Sequence, residues 1–179
     1  MKVVVHDASI LIDLTLCEAV DAWFATGIET WTSDLIYPDE IVRPEQRRQL
    51  ESYVTAKKLL IRKSTEPVEH LFAQRERLGR GLSFADVSAL LLTQELGADS
   101  VLATGDQLLR TTATRAKVKV CGILGLFDQM VEPTAPGLRP TLPRAVAAAK
   151  LKLLMEHPEC RLPHERCAEK IKQWRAKGK

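Results

Sequence analysis

Three aspartates stand where the sequence predicts that short secondary-structure elements begin or end. Asp7 follows three consecutive valines, a β-branched run that predicts a buried strand, and Asp106 follows the apolar run 101–104, which predicts another. Asp86 lies three residues after Ser83, a spacing typical of the first turn of a helix. Because the carboxyl ends of parallel strands meet at one edge of a sheet, we expect the three carboxylates to converge there.

Converging carboxylates favour a divalent-cation site. Like charges held within a few ångströms repel one another unless a cation neutralises them, and Mg²⁺ or Mn²⁺ accepts carboxylate and water oxygens as ligands. Such an ion activates water and stabilises a phosphoryl transition state. Taken singly, Asp86 also fits a helix cap and Asp106 a turn, so the prediction depends on the three aspartates together.

The elements that must position these residues alternate along the chain. Short apolar runs followed by helical patterns predict an α/β fold, a three-layer αβα sandwich around a mainly parallel sheet, with a C-terminal helical extension. Strands are expected at 3–5, 29–32, 59–61, 101–104 and 118–121. The main helices are expected at 9–16, 44–54, 66–78, 84–96, 122–131 and 142–156, with a last helix from residue 163. The inward-facing side chains are expected to be Val68, Leu71, Phe72 and Leu78 in one helix and Val146, Ala149, Leu153 and Leu154 in another.

Charge and composition divide the chain of 179 residues into a body and a tail. Prolines predict a linker over 132–140, between a domain over 1–131 and a basic helical tail over 141–179. Residues 139–179 hold 11 Lys or Arg and 4 Asp or Glu, whereas residues 1–138 hold 15 and 19. An acidic body beside a basic tail suits a cation-binding centre and an anionic partner, although a solvated helical tail has the same composition.

The sequence carries no sign of a membrane or secreted protein. No apolar run approaches the roughly 18 residues of a membrane span, and the first residues lack the apolar region of a signal peptide. We therefore expect a cytoplasmic protein with no membrane partner, whose four cysteines are free thiols.

The last 25 residues contain a repeated His-x-x-Cys spacing. Two pairs, His157 with Cys160 and His164 with Cys167, offer four ligands of the kind that zinc prefers. The spacing is not that of a standard zinc finger and prolines interrupt it, so a plain helical hairpin is the favoured interpretation.

Three segments together resemble the signature segments of PIN-domain proteins. They are VHDASILIDL at 5–14, LSFAD at 82–86 and ATGDQLLR at 103–110, in the order and spacing of that family. The resemblance covers about residues 1–131. PIN-domain proteins are metal-dependent ribonucleases, and many bacterial members are toxins of toxin–antitoxin pairs.

The resemblance implies roles for individual residues. Asp7, Asp86 and Asp106 match the acids that hold one or two Mg²⁺ or Mn²⁺ ions, and Ser9 matches a hydroxyl residue two positions after the first acid. Ser9 would orient a water or a phosphate oxygen. Arg110, one turn beyond Asp106, is expected to contact substrate phosphate, although a solvated helix cation explains it equally well.

A fourth acid is expected from the segment that follows residue 33. The family's second acid normally follows a Thr-x-x-x-x-Glu type of segment, which this chain matches imperfectly because Pro38 is an extra residue. We favour Glu40 over Asp39 and Glu45, because Glu40 keeps its distance from the start of the next helix.

The resulting functional hypothesis is an Mg²⁺- or Mn²⁺-dependent endoribonuclease, with a toxin role as one form of it. RNA, an antitoxin protein and a second copy of the chain are the expected partners. The alternative is a catalytically weak PIN-fold module that binds RNA or a protein through its basic tail. It depends on the surplus of seven positive charges in residues 139–179.

Overall fold

The computed structural model describes residues 1–6, 8–38, 43–63, 67–158 and 160–176. The fold is α/β, with a five-stranded parallel sheet flanked by helices. The strands are β1 (Lys2–Val5), β2 (Glu29–Ser33), β3 (Leu59–Arg62), β4 (Ser100–Ala103) and β5 (Lys119–Cys121). The helices are α1 (Ala8–Leu16), α2 (Val20–Ala25), α3 (Pro44–Thr55), α4 (Val68–Leu78), α5 (Phe84–Glu95), α6 (Gln107–Arg115), α7 (Ile123–Val131), α8 (Arg144–Glu156) and α9 (His164–Ala176). The predicted α/β fold with a parallel sheet and a C-terminal helical extension is confirmed.

The sheet places β1 at its centre. Its strand order is β3-β2-β1-β4-β5, and all four pairings are parallel. Val3, Val4 and Val5 are almost fully buried, as expected for a β-branched strand covered on both faces. Pairing of Val5 with Ala103 brings the carboxyl ends of β1 and β4 side by side.

A capping box starts α5. The Ser83 hydroxyl accepts a hydrogen bond from the Asp86 amide at 3.0 Å, and the Asp86 carboxylate accepts one from the Ser83 amide at 2.5 Å. Two amides that the helix itself leaves unpaired are thereby satisfied. The helix buries Val87 and Leu90 and contacts β1, β2 and β4, so its first turn is held over the carboxyl edge of the sheet.

Loss of this cap is expected to destabilise the fold. A Ser83→Ala variant removes the acceptor of the Asp86 amide, and such a change costs about 1 kcal/mol of free energy of unfolding. In a chain of this size the melting temperature should fall by about 2–4 °C. A Ser83→Thr variant keeps a hydroxyl and should melt near wild type; equal losses in both variants would show that the hydroxyl does not cap the helix.

The predicted inward face of α4 is wrong at two positions. Leu71 is buried, but Val68 is 60% and Phe72 is 49% exposed. The main neighbour of α4 is α5 rather than the sheet, so only a narrow stripe of α4 is covered. Two apolar side chains are therefore left at the surface.

The buried face of α8 is rotated about the helix axis relative to the predicted inward face. Leu154 is buried as expected, whereas Val146 is 41% and Leu153 is 46% exposed, and Ala149 also lies at the surface. The buried set is Ala147, Ala148, Leu151 and Leu154. The buried face of α8 is thus built partly from small alanines, and the main neighbour of α8 is α9.

The described residues form two compact units. The first spans 1–10 and 28–122 and contains the sheet; the second spans 11–27 and 123–179 and is helical. Within the second unit, Phe127 and Trp174 pack with ring centroids 5.9 Å apart, and Lys170 pairs with Asp128 at 2.8 Å. The last helix thus packs against α7 within the second unit. The predicted domain and linker boundaries stay a prediction.

Candidate functional site

The candidate site is the edge of the first unit where β1 and β4 end. Asp106 follows β4 by three residues, and Asp86 lies in the first turn of α5. Asp7, which follows β1 in the sequence, lies outside the described residues. Two of the three predicted aspartates can therefore be located at this edge.

His6, which directly follows β1, contacts both the end of β4 and the first turn of α5. The residue is 8% exposed, and its amide donates to the Ala103 carbonyl at 3.1 Å, just beyond the last paired residues of β1 and β4. Its Nε2 lies 2.8 Å from Asp86 Oδ1. A buried imidazole therefore fixes the rotamer of a carboxylate that comes from the neighbouring helix.

A chain of polar contacts continues from His6 to Asp106. His6 Nδ1 lies 3.4 Å from Thr104 Oγ1, which accepts the Asp106 amide at 3.1 Å. The Thr104 hydroxyl already accepts one hydrogen, so its own hydrogen is available to Nδ1, and Nε2–H then faces Asp86. The pattern fits the Nε2–H tautomer and links the positions of Asp86 and Asp106.

Asp86 is held in its charged form. Burial of the half-buried side chain by itself raises the pKa of the carboxyl. Hydrogen bonds from His6 and from the backbone and side chain of Ser83 outweigh that effect, so the pKa lies below its usual value. A carboxylate that stays ionised while partly shielded from water suits the binding of a hard cation.

Asp106 caps α6 and keeps one oxygen available. Its Oδ1 accepts the Leu109 amide at 2.7 Å, which is the N-cap interaction of the helix. Its Oδ2 accepts no hydrogen bond from any residue that the structure describes, and the side chain is exposed. Both aspartates therefore do have the helix-capping roles that their sequence positions suggested, and Asp106 also keeps an oxygen without a partner among the described residues.

Arg110 binds the ends of two strands. Its Nη1 donates to the carbonyl oxygens of Thr104 and Cys121, each at 2.9 Å, and so ties the carboxyl ends of β4 and β5 together. Contact between Arg110 and a substrate phosphate stays a prediction. Ser9 is exposed in the first turn of α1, and its predicted role in orienting water or phosphate likewise stays a prediction.

The segment predicted to supply the fourth acid leaves the sheet at Ser33. Ser33 ends β2, is fully buried and accepts a hydrogen bond from the Ser88 hydroxyl of α5 at 3.2 Å. Glu40 and Asp39 lie outside the described residues, whereas Glu45 is exposed in the first turn of α3. The choice of Glu40 stays a prediction.

Comparison with models of known protein families identifies the family of this chain. A family model described as a PIN domain matches residues 3–175. The chain belongs to the PIN-domain family. A comparison with curated proteins found no match. The PIN family model extends through α8 and almost all of α9, so the C-terminal helices lie within the matched region.

PIN domains are in general nucleases, and they typically use divalent metals. The oxygen donors of Asp86 and Asp106 suit Mg²⁺ or Mn²⁺, which prefer carboxylates to sulfur or imidazole ligands. Within the described ranges, no three His, Cys, Asp or Glu side chains are grouped to hold a metal ion. The four residues of the two His-x-x-Cys pairs near the C-terminus lie within those ranges, and they are not grouped in this way.

The described part of this PIN domain has no helix long and apolar enough to span a membrane.

The residue of the candidate site that sequence reasoning missed is His6. Its signal was its place directly between the β1 strand and Asp7, but its partner Asp86 is 80 positions away, and only the parallel sheet brings the two together.

Proposed function

We propose that this PIN domain is an Mg²⁺- or Mn²⁺-dependent endoribonuclease that hydrolyses phosphodiester bonds at the β1/β4 edge. The observation that carries the proposal is the His6–Asp86 pair, together with the Thr104 contact that joins it to Asp106. A half-buried, ionised carboxylate fixed by an imidazole at the end of parallel strands is costly to maintain for stability alone. Family membership supports the nuclease class.

The residues proposed to hold the ion are Asp7, Asp86 and Asp106, with Glu40 as the fourth acid. The bound ion would supply positive charge for the phosphoryl transition state and lower the pKa of water. His6 keeps Asp86 in place, and the α6 cap keeps Asp106 in place. Ser9 would orient a water or a phosphate oxygen.

The proposed reaction transfers a phosphoryl group to water. The water oxygen forms a bond to phosphorus, a carboxylate of the site accepts the water proton, and the bond from phosphorus to the 3′ oxygen breaks. The leaving 3′ oxygen takes up a proton. Hydrolysis in this sense leaves a 5′ phosphate on one product and a 3′ hydroxyl on the other.

The ends of the products test the proposal. We expect the purified protein to cleave a pool of structured RNAs in Mn²⁺ or Mg²⁺, to stop when a chelator is added and to recover when the ion is restored. The new ends should be 5′ phosphate and 3′ hydroxyl. Products with 2′,3′-cyclic phosphate, or cleavage unaffected by chelator, would contradict it, because such cleavage needs no metal-assisted water.

A toxin role is a more specific version of the proposed ribonuclease function. It is supported by the resemblance of the three acidic segments to PIN-domain proteins, many of whose bacterial members are toxins, and it would add an antitoxin protein as partner. A homodimer and a cytoplasmic location are proposed on the same basis.

A catalytically weak binding module is the second candidate. The observation in its favour is the surplus of positive charge in residues 139–179, with Lys152, Lys172 and Arg175 exposed on α8 and α9. RNA binding that weakens steeply with salt, without metal-dependent cleavage, would favour this candidate over the first.

A further inference from the structure

The edge of the sheet opposite the candidate site is lined with cations. It is formed by the starts of the strands and by the ends of the helices that lead into them, and we refer to it as the amino edge. Its cations, all in the first unit, are Lys2, Lys57, Lys58, Arg115, Lys117 and Lys119. Five strands about 4.8 Å apart make this edge roughly 19 Å wide.

Positive charge outweighs negative charge at the amino edge. The acids at the strand starts are Glu29 and Asp99, so six cations face two acids. Glu29 already lies 3.9 Å from Lys2 Nζ. Glu95, at the end of α5, is paired with Arg62 at 2.7 Å. The amino edge is therefore basic, although residues 1–138 as a whole hold 19 acids against 15 cations.

Most of these cations have no acidic partner. Among the residues that the structure describes, no acid forms an ion pair with Lys57, Lys58, Arg115 or Lys117. All four are exposed. Lys119 is also exposed, and its Nζ donates to the Ala98 carbonyl at 3.0 Å, which places it beside the start of β4. The surrounding segment, 107–127, contains four cations and no acid.

The amino edge offers little apolar surface. None of the large apolar side chains that are exposed in the described part of the chain belongs to a strand start or to the last turn of α3 or α6. A protein interface has an apolar core, and a membrane-bound surface inserts apolar side chains. Exposed cations without either feature suit the phosphate backbone of a nucleic acid.

The position of the cations also suits a protein whose candidate site is acidic. The Asp86 carboxylate is held in its charged form, and it repels phosphate until a cation binds. Strands of three to five residues separate the two edges by roughly 10–17 Å. That separation exceeds the Debye length of about 8 Å at physiological salt, so the amino edge can attract RNA without neutralising the carboxylates.

We propose that the amino edge is a second RNA contact, which binds the sugar–phosphate backbone of the substrate away from the phosphodiester bond that is cleaved. The inference rests on the proposed nuclease function, because it states how that substrate is held. Lysine contacts to phosphate depend on charge and not on the identity of the base. The amino edge therefore supplies affinity that is independent of sequence and contributes to KM rather than to kcat.

Two of the lysines can be replaced without loss of backbone fit. Lys57 and Lys117 have φ of 55° and 58°, and each directly follows the cap residue of α3 or α6. Their amides donate to the carbonyls of Val54 at 2.9 Å and Thr114 at 3.0 Å, the pattern of a helix end at which glycine is usual. A Lys57→Gly/Lys117→Gly double variant thus removes two charges and should melt no lower than wild type.

The salt dependence of RNA binding tests the proposal without requiring catalysis. The probe is a fluorescein-labelled single-stranded RNA of mixed sequence, titrated with the full chain in the presence of a chelator and followed by fluorescence anisotropy at several salt concentrations. The double variant should raise Kd. Its slope of log affinity against log salt should be shallower by about 0.7 for each lost phosphate contact, or about 1.4 in all.

The matched control is Glu18→Gly. Glu18 has a φ of 55° just beyond α1 and lies in the second unit, so the variant has the same backbone change but loses a negative charge. Its side chain is 78% exposed and pairs with Lys150 at 3.6 Å. Because no cation is removed, the slope should be no shallower than that of wild type.

Three results would overturn the proposal. They are failure of wild type to bind the probe, an unchanged slope in the double variant, and an equally shallow slope in Glu18→Gly. Binding to vesicles of phosphatidylserine and phosphatidylcholine that depends on the two lysines, with RNA binding unaffected, would assign the amino edge to a membrane surface instead.

Cleavage is measured separately, as steady-state kinetics in Mn²⁺. The double variant should raise KM and keep kcat, so the rate at saturating RNA stays that of wild type. RNA binding that depends on the lysines, without metal-dependent cleavage by wild type, would refute the nuclease proposal and keep the amino edge as an RNA contact. Metal-dependent cleavage with an RNA affinity that does not depend on the lysines would do the reverse.

Discussion

An Asp86→Asn variant is expected to cleave RNA in the presence of metal at an initial rate at least about 100-fold below that of wild type. Rate losses of this size are typical when a group that stabilises charge in the transition state is removed. The amide keeps the shape of the carboxylate and an oxygen that can accept the Ser83 amide, so the start of α5 is retained. What disappears is the negative charge that His6 and Ser83 stabilise.

The matched control for this variant is Asp99→Asn. Asp99 is an exposed acid that precedes β4, at the opposite end of the strand from the site. The same change of charge there should leave cleavage within experimental error of wild type. A full rate in Asp86→Asn, or an equal loss in Asp99→Asn, would remove Asp86 from the site.

A His6→Phe variant is expected to lower cleavage by about 10–100-fold, the range for a group that orients a metal ligand. Phenylalanine fills the same buried space but offers neither nitrogen, so Asp86 Oδ1 loses its donor and Thr104 loses its contact. With Asp86 less well placed, a higher Mn²⁺ concentration should be needed for half-maximal rate. The measurement is cleavage rate against Mn²⁺ concentration.

His6→Gln is the control that separates positioning from packing. The glutamine amide can donate to Asp86, so we expect it to recover part of the rate and of the Mn²⁺ dependence. If His6→Phe loses stability but keeps the wild-type Mn²⁺ requirement, His6 is a structural residue and has no positioning role.

The parallel sheet, and with it the edge where the candidate site lies, were predictable because they depend on local pattern. Three valines before Asp7 and the apolar run before Asp106 are signals that neighbouring residues carry. The Ser83–Asp86 spacing predicted a helix start, and the capping box confirms it. Strand ends in a parallel sheet then meet by topology, without knowledge of any side-chain contact.

The contacts that give the site its electrostatics were not predictable in the same way. The His6–Asp86 pair depends on the register of β1 with β4 and on how α5 lies over them, which no local pattern encodes. The exposure of Phe72 was mispredicted for a related reason. Apolar spacing shows which residues share a helix face, but how much of that face a neighbour covers is decided by tertiary packing.

The most direct test of the central claim is the RNA-cleavage rate of wild type, Asp7→Asn, Asp86→Asn, Asp106→Asn and Asp99→Asn at one Mn²⁺ concentration. The variants are purified side by side, and their melting temperatures are compared. The account predicts that the first three variants lose cleavage while remaining folded, and that Asp99→Asn retains it. Equal cleavage by all five proteins would contradict the carboxylate site at the β1/β4 edge.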